Sequence, residues 1–463
     1  MGFFQTLINN LPEVSSPSQR RLSFKEKLKW TLIVLSLFFI LGLVPLFGLS
    51  QNSLQRFEFL SIILGARFGS IISLGIGPIV TASIVLQLLN GSGLVKFDLQ
   101  STEGKKKFQG TQKLLSIVFI IFEAGIYVFM GGLAPAAELA GSSLYLQLEL
   151  LMIFQLILGG ILIMFMDEVV SKWGFGSGIS LFIAANVSEQ IVIRALSPFP
   201  SPTNPNIATG AIPALVQSLA AGDPQTAVLM FAAVMATILV FVFAVYAQSM
   251  KVEIPLSFGR VRGYGIRWPL NFIYTSNIPV ILVAALIANI QLWARLLQNY
   301  GWPILGSFAG NTPESGLVAW LSPPNIVSGT IIGSIQGIDI AHSIVYILFL
   351  MGGSVLFSWF WVQTAGMDAR SQAKQIMNSG LQIPGFRKDE RIMERMLDRY
   401  IKPLTVMGAL TVGFLAAIAD LSGALSNGTG ILLTVMIIYK LYEDIAQQHM
   451  MDMHPALRRF MEG

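Results

Sequence analysis

The stretch that most constrains this chain is GIGPIVTASIVLQLL, residues 75–89. An apolar helix restarts there behind Gly75, Gly77 and Pro78, and a second apolar stretch, from about Phe57 to Ser73, precedes it. The upstream stretch is too short to cross a bilayer, which needs roughly 20 apolar residues in helix. It also carries Glu58 and Arg67. Non-helical backbone at membrane depth survives only when buried in protein or lining a wet cavity. A half-inserted helix feeding a broken one therefore suggests a pathway across the membrane rather than an anchor. Gly and Pro are also common in plain kinked membrane helices, so a kinked span behind an outer amphipathic loop is the competing reading. Gly65 and Gly69 favour close helix contact, while Arg67 between them argues against a lipid-facing seam.

Composition supports an all-α polytopic membrane protein. The chain is 54% hydrophobic and 12% charged, against about 25% charged in a soluble domain. It has no cysteine, and His342, His449 and His454 are its three histidines. Thiolate and histidine-built metal sites, disulfides and cysteine nucleophiles drop out, and no metal, cofactor or catalytic residue is expected. No G-x4-G-K-[ST], H-E-x-x-H or G-x-S-x-G motif occurs, so directional work must come from a partner or a gradient. Residues 1–29 lack the apolar core and cleavage site of a cleavable signal peptide.

Ten spans are expected, near 28–48, 75–90, 112–133, 145–166, 175–195, 226–249, 269–292, 341–363, 402–420 and 428–446. All Lys and Arg except Arg56, Arg67, Arg194 and Arg295 then fall on the side that holds both termini. Such a bias is the positive-inside signature and places both termini in the cytosol. The expected organisation is a cytosolic segment 1–27, an N-terminal half 28–196, an outer hinge loop 197–225, a C-terminal half 226–446 and a cytosolic tail 447–463. Five spans in each half would put the halves in opposite orientation, as in inverted repeats, although no clear identity between them is evident. Two inner loops stand out. Residues 251–267 alternate around Gly259 and Gly263 and predict a hairpin. Residues 364–402 predict a projection of two short helices broken at Pro384-Gly385.

Ile76 and Val80, and Ile179 and Ile183, are pairs on single helix faces. Packing against a neighbouring helix explains them, and so does a constriction that closes by dewetting. Thr81, Ser83, Gln87, Asn277 and Glu123 are polar groups within spans. A mid-membrane carboxylate costs about 2.5–3.5 kcal/mol, so Glu123 should face protein or water. The acids are too sparse for a proton relay, yet a secondary transporter for a small solute remains the alternative function, since it shares broken helices and inverted repeats. Arg260, Arg262 and Arg267, then Arg387, Lys388, Arg391, Arg395 and Arg399, serve topology or bind a phosphate-rich partner through counterion release.

At GIGPIVTASIVLQLL the chain resembles the SecY family, the channel subunit of the protein-secretion translocon. The resemblance continues in FKEKLKW, FQGTQKLLSI, MDEVVSKWGFGSGISLFIAA, KVEIPLSFGRVRG, SNIPVILVAALIANIQLW, GFRKDER, IKPLTV and GTGILLTVMIIYKLYE, closest to the archaeal and eukaryotic branch. It implies ten helices in two pseudo-symmetric halves around a central pore. It also implies a channel that moves unfolded secretory polypeptides across the membrane and releases transmembrane segments sideways into lipid. By matching strings, the pore ring would be Ile76, Val80, Ile179, Ile183, Ile281 and Leu433. A re-entrant plug would cover 57–73, including Phe57, Glu58, Gly65, Arg67 and Gly69. Thr81, Gln87 and Asn277 would line the lateral gate, and Arg260, Arg262, Arg387 and Lys388 would dock ribosomes or motors. The resemblance further implies partners: small single-span subunits of SecE type and a beta type, the ribosome, signal sequences, nascent chains and the lipid bilayer. It favours a prokaryotic, archaeal-type plasma membrane over the endoplasmic reticulum.

Overall fold

The computed structural model describes residues 10–18, 22–50, 69–91, 94–95, 97, 101–129, 133–200, 207–258, 265–299, 301–309, 312–378, 381–382 and 389–453. The first half contains α1 (Phe24–Gly42), α2 (Gly77–Gly91), α3 (Thr102–Phe129), α4 (Ser143–Trp173) and α5 (Gly178–Leu196). The connection to the second half carries α6 (Ala211–Ala221). Then follow α7 (Pro224–Ser249), β1 (Lys251–Phe258), β2 (Gly265–Asn271) and α8 (Ile278–Asn299). The segment after α8 holds β3 (Phe308–Ala309), β4 (Thr312–Pro313), α9 (Gly316–Trp320) and α10 (Ile326–Ile332). The chain ends with α11 (Gly337–Thr364), α12 (Ala369–Asn378), β5 (Leu381–Gln382), α13 (Glu390–Leu421) and α14 (Gly428–Met453).

A helix covers each of the ten expected spans, and seven of them are long and apolar enough to cross a membrane by length and composition: α3, α4, α5, α7, α8, α11 and α13. The other three differ for visible reasons. α1 opens on Lys25, Glu26, Lys27 and Lys29, and α14 carries Lys440, Glu443 and Asp444. α2 has 15 residues, about 22 Å of helix against a hydrocarbon core of about 30 Å. Its missing length is supplied by buried irregular backbone: Ser70, Ile72 and Leu74 are buried in a run of turns.

That irregular backbone recurs in the second half, where the sequence shows no obvious identity. Gly75 has φ 56° and Ser276 has φ 58°, the one non-glycine with positive φ among the described residues. The Gly75 amide donates to the Ile72 carbonyl at 2.8 Å, and the Ser276 amide to that of Ile273 at 3.2 Å. The first helical bonds are Val80 to Ile76 and Ile281 to Asn277, both 3.1 Å. Pro78 and Pro279 hold matching places at the two helix starts, where a missing amide costs nothing. One residue before each turn, a carbonyl lies on a glycine of a neighbouring helix. A Cβ on Gly159 of α4 would stand 2.0 Å from the Ile71 oxygen, and one on Gly408 of α13 would stand 2.6 Å from the Phe272 oxygen. The two helix starts thus share a backbone conformation although their side chains differ.

Three expected boundaries change. The 197–225 connection is not a plain loop, because α6 forms within it and packs on α7. The seventh span begins at Ile278 rather than 269, since 265–271 belongs to β2. The hairpin itself forms, with register Lys251↔Asn271 through Ser257↔Gly265. Among the described residues the 364–402 projection has one separate short helix, α12, and the break expected at Pro384-Gly385 lies outside them. After β5 joins the edge of β1, α13 runs unbroken through Pro403. Its buried Met393, Leu397, Ile401 and Leu404 keep one apolar stripe on Ala373 and Ile376 of α12 and on Ile254 and Leu270 of the hairpin. Pro403 lies on the exposed side, where the carbonyl it leaves unbonded faces outward.

At the N-terminus, residues 12–15 form a strap across the ends of α3 and α4. Lys113 bonds the Pro12 carbonyl and pairs with Glu168. The Val14 amide donates to Glu168 at 2.9 Å, and the Trp173 indole donates to the Ser15 carbonyl at 2.9 Å. Glu13 pairs with Lys172, whose hydrogen bond and charge hold the carboxyl below its ordinary pKa.

The glycine contacts are testable. Gly159→Ala and Gly408→Ala force a methyl into backbone and should lower the unfolding temperature in detergent. Gly352→Ala, in α11 with no atom within 4 Å of the added carbon, should leave it unchanged or raise it, since Ala gains about 1 kcal/mol over Gly in a helix.

Candidate functional site

The two broken helix starts and the starts of α5 and α14 bring six aliphatic side chains together. Val80 and Leu433 are buried, and Ile76, Ile179, Ile183 and Ile281 are half-buried. Val80 belongs to an apolar cluster with Tyr346 and Leu350 of α11, against which Ile76, Ile179 and Ile281 pack. Ile281 and Ile183 also pack on the cluster that contains Leu433. Ile76 and Ile179 also pack on the cluster of Phe38 and Phe182. The six therefore meet where three apolar clusters adjoin, and none is among the exposed large hydrophobics. Beside them opens a cavity of about 300 Å³, lined in part by Ile72, Ile76, Ile183, Asn186 and Gln190. These six side chains offer neither a proton donor nor a charge, only a surface that excludes water.

Ahead of the ring, Gly69 (φ 95°) begins the described ribbon. Its amide donates to the Ser73 hydroxyl at 2.8 Å, and its carbonyl accepts from the Leu46 amide at 2.9 Å. The Ile71 amide bonds the Val44 carbonyl at 3.0 Å. The ribbon is thus stitched to the chain just beyond α1. Phe57, Glu58, Gly65 and Arg67 lie outside the described residues.

The seam between α2, α3 and α8 carries the polar contacts. The Thr81 hydroxyl lies 3.3 Å from Glu123 Oε1 on α3 and accepts from Asn289 Nδ2 on α8 at 3.1 Å. Gln112 of α3 donates to Ser83 of α2 at 2.6 Å. On the exposed side, Phe122 of α3 and Trp293 of α8 stand 5.7 Å apart between ring centroids. Asn277, which the resemblance assigns to the lateral gate, lies at the start of α8, where its Oδ1 accepts from its neighbour Ser276. The polar side chain that crosses from α8 to Thr81 is Asn289. A signal for it exists, since Asn289 is an amide inside the apolar run AALIANIQLW, but nothing in the spacing ranks it above Asn277. Gln87 is buried on α2; its Oε1 and the Nδ2 of Asn277 have no hydrogen-bond partner.

Below the membrane-length helices, β2, β1 and β5 form a three-stranded sheet, in that order, backed by α12 and the start of α13. Arg267 and Glu253 pair across the hairpin at 2.9 Å. Arg260, Arg262, Arg387 and Lys388 lie outside the described residues. Among the described residues, no group of three or more His, Asp or Glu side chains is arranged to hold a metal.

The SecY family model matches residues 70–442, and the model for the plug domain of Sec61p matches residues 37–69. The chain belongs to the SecY family. The protein translocase subunit SecY of Methanothermobacter thermautotrophicus is 46% identical over 462 residues, covering 99% of this chain and 98% of that one. The subunit of the same name from Pyrococcus horikoshii is 44% identical, covering 98% and 97%. Among solved structures, a protein-conducting channel superposes with TM-score 0.81 at 43% identity, covering 97% of this chain and 98% of that one. Sec61 in a canine ribosome–channel complex from the endoplasmic reticulum superposes with TM-score 0.78 at 42% identity, with the same coverage. The plug model ends at Gly69, so it meets the sequence-derived limits of 57–73 over 57–69 and starts inside α1.

Interhelical bonds of the Thr81–Asn289 kind contribute about 0.6 kcal/mol each in membranes. Asn289→Leu removes one, and because lipid tails are as apolar as leucine nothing replaces it, so the seam should open more readily. Transport of a weakly hydrophobic signal sequence in proteoliposomes should then rise more than that of a strongly hydrophobic one; equal changes would contradict this.

Proposed function

We propose that this chain is the pore-forming subunit through which unfolded polypeptides cross a membrane, with Ile76, Val80, Ile179, Ile183, Ile281 and Leu433 as its constriction. The observation that carries the reading is the meeting of those six side chains, from the region of four helix starts, at the junction of three apolar clusters. A translocating chain varies in chemistry, and a lining of specific polar sites would bind some segments tightly and stall them. Aliphatic side chains interact weakly with everything and deform.

The segment 57–73 then stoppers the constriction from outside, and the seam of Thr81, Gln87, Asn289 and Asn277 opens toward lipid for apolar segments. The buried unpartnered atoms of Gln87 and Asn277 support a seam that is closed but not deeply stable, because an unmet polar group costs about 1–3 kcal/mol. Ten crossings, with both termini in the cytosol, account for the distribution of Lys and Arg. The halves 28–196 and 226–446 are the moving units. The relatives' archaeal sources support residence in a plasma membrane. The likeness to Sec61 in a ribosome complex supports docking of ribosomes on the sheet module through Arg260, Arg262, Arg387 and Lys388. Small single-span subunits of SecE and beta type are its expected companions. Nothing in this role requires catalysis by the chain itself.

Combining Ile179→Gly with Ile183→Gly should raise resting ion conductance in planar bilayers, and an unchanged conductance would reject the ring. Arg387→Glu should weaken ribosome binding, and the parent's binding should fall steeply with added salt, as counterion release requires. Salt-independent binding would remove the electrostatic basis of docking.

A further inference from the structure

The two helices that complete the ring both start from a carboxylate on the preceding helix. At α5 the local cap residue, Ser177, makes no side-chain bond to the helix. Asp167 of α4 reaches across instead. Its Oδ1 accepts from the Ile179 amide at 2.9 Å and from the Ser177 hydroxyl at 3.4 Å, and the carboxylate also accepts from the Gly178 amide. In the second half, Asp420 of α13 plays the same part for α14. Its Oδ1 accepts from the Thr429 amide at 2.8 Å, and the carboxylate also accepts from the Gly428 amide. Its Oδ2 accepts from the Thr429 hydroxyl and from the Tyr346 hydroxyl at 2.7 Å.

Glycine makes both approaches possible. A Cβ on Gly178 would stand 2.5 Å from the Asp167 Cα, and one on Gly428 would stand 1.9 Å from the Ala419 carbonyl carbon. The ring residues follow in the same register. Ile183 comes four residues after the capped Ile179 amide and Leu433 four after the capped Thr429 amide, about one helical turn in each case. A carboxylate at a helix N-terminus also complements the helix dipole.

We propose that Asp167 and Asp420 are paired positioning residues, each fixing the height and rotation of one ring helix, so that closure of the constriction depends on two caps that break independently. The proposal rests on the ring reading given above. The pair is not symmetric in its outside attachments. Among the described residues, the hydrogen-bond partners of Asp167 lie at the α4–α5 junction, whereas Asp420 is also held by Tyr346 of α11, the helix whose Tyr346 and Leu350 cluster with Val80. Movement of α11 therefore pulls on the cap of α14 and spares that of α5.

The chain has no cysteine, so Ile183→Cys and Leu433→Cys can each be introduced as the single thiol of the full chain, reconstituted with its co-purified subunits in liposomes. The rate of modification by a charged methanethiosulfonate reports how far the ring has loosened at that helix. Asp167→Ala should raise the rate at Ile183→Cys by about fivefold, the population shift that loss of one helix cap brings, with little change at Leu433→Cys. Asp420→Ala should do the reverse. Asn at either position keeps an oxygen for the amides and should return the rate toward the parent value, a rescue that general damage would not show. Ser177→Ala and Tyr346→Phe each remove one hydroxyl from a carboxylate. They should reproduce the two patterns at smaller amplitude, and they stand in where an alanine variant does not fold. Equal acceleration at both thiols, or none at either, overturns the proposal. If ring-glycine substitution raises conductance while the aspartate variants are silent, only the caps are wrong; if conductance is also unchanged, the ring itself is wrong.

Discussion

Backbone that leaves helical geometry inside a membrane must find its partners in protein, and the rest of this structure is arranged around that requirement. The runs before Gly75 and Ser276 turn without being helical just ahead of α2 and α8. Each is tolerated because a glycine of a neighbouring helix lets a carbonyl come close, Gly159 under Ile71 and Gly408 under Phe272. Those contacts set where α2 and α8 begin. The beginnings in turn set where Val80 and Ile281 point. Side-chain packing at the centre is thus a consequence of backbone close approach further out, and a methyl group at the wrong glycine would be felt at the constriction.

Polarity is distributed with equal economy. The junction of Ile76, Val80, Ile179, Ile183, Ile281 and Leu433 is aliphatic and offers no polar group. The seam is where hydroxyls and amides are spent: Thr81 serves Glu123 and Asn289 together, while the aromatic pair Phe122–Trp293 closes the exposed side of the same seam. An opening toward lipid must break contacts of modest strength in sequence rather than one large apolar interface at once. That suits a boundary asked to respond to short apolar segments.

Much of this is legible in the amino-acid order, and the exceptions have physical reasons. Hydropathy and the bias of Lys and Arg locate the helical segments because membrane insertion acts on composition alone. Alternation around Gly259 and Gly263 exposes the hairpin. The third strand, β5, is two residues long and defined by its partner, so no local pattern announces it. Pro403 reads as a boundary, yet α13 passes through it because the apolar stripe from Met393 to Leu404 is continuous and the proline faces outward. Asn277 and Asn289 are equivalent as letters in an apolar run; only the positive φ at Ser276, which starts α8 late and turns Asn277 into its first hydrogen-bonded carbonyl, separates them. The likeness of the two helix starts escapes sequence comparison because Gly75 and Ser276 occupy matching places whose shared property is a dihedral angle.

The helix α13 has 32 residues, a rod of about 48 Å. One end is clamped in the sheet module and the other ends beside Asp420, which holds the first turn of α14. A tilt of the sheet module is thereby carried along one continuous helix to the carboxylate that caps α14, with no loop in between to absorb it. Pro403 lies within that helix on its exposed side, and with one ladder bond missing it is where the rod bends most readily.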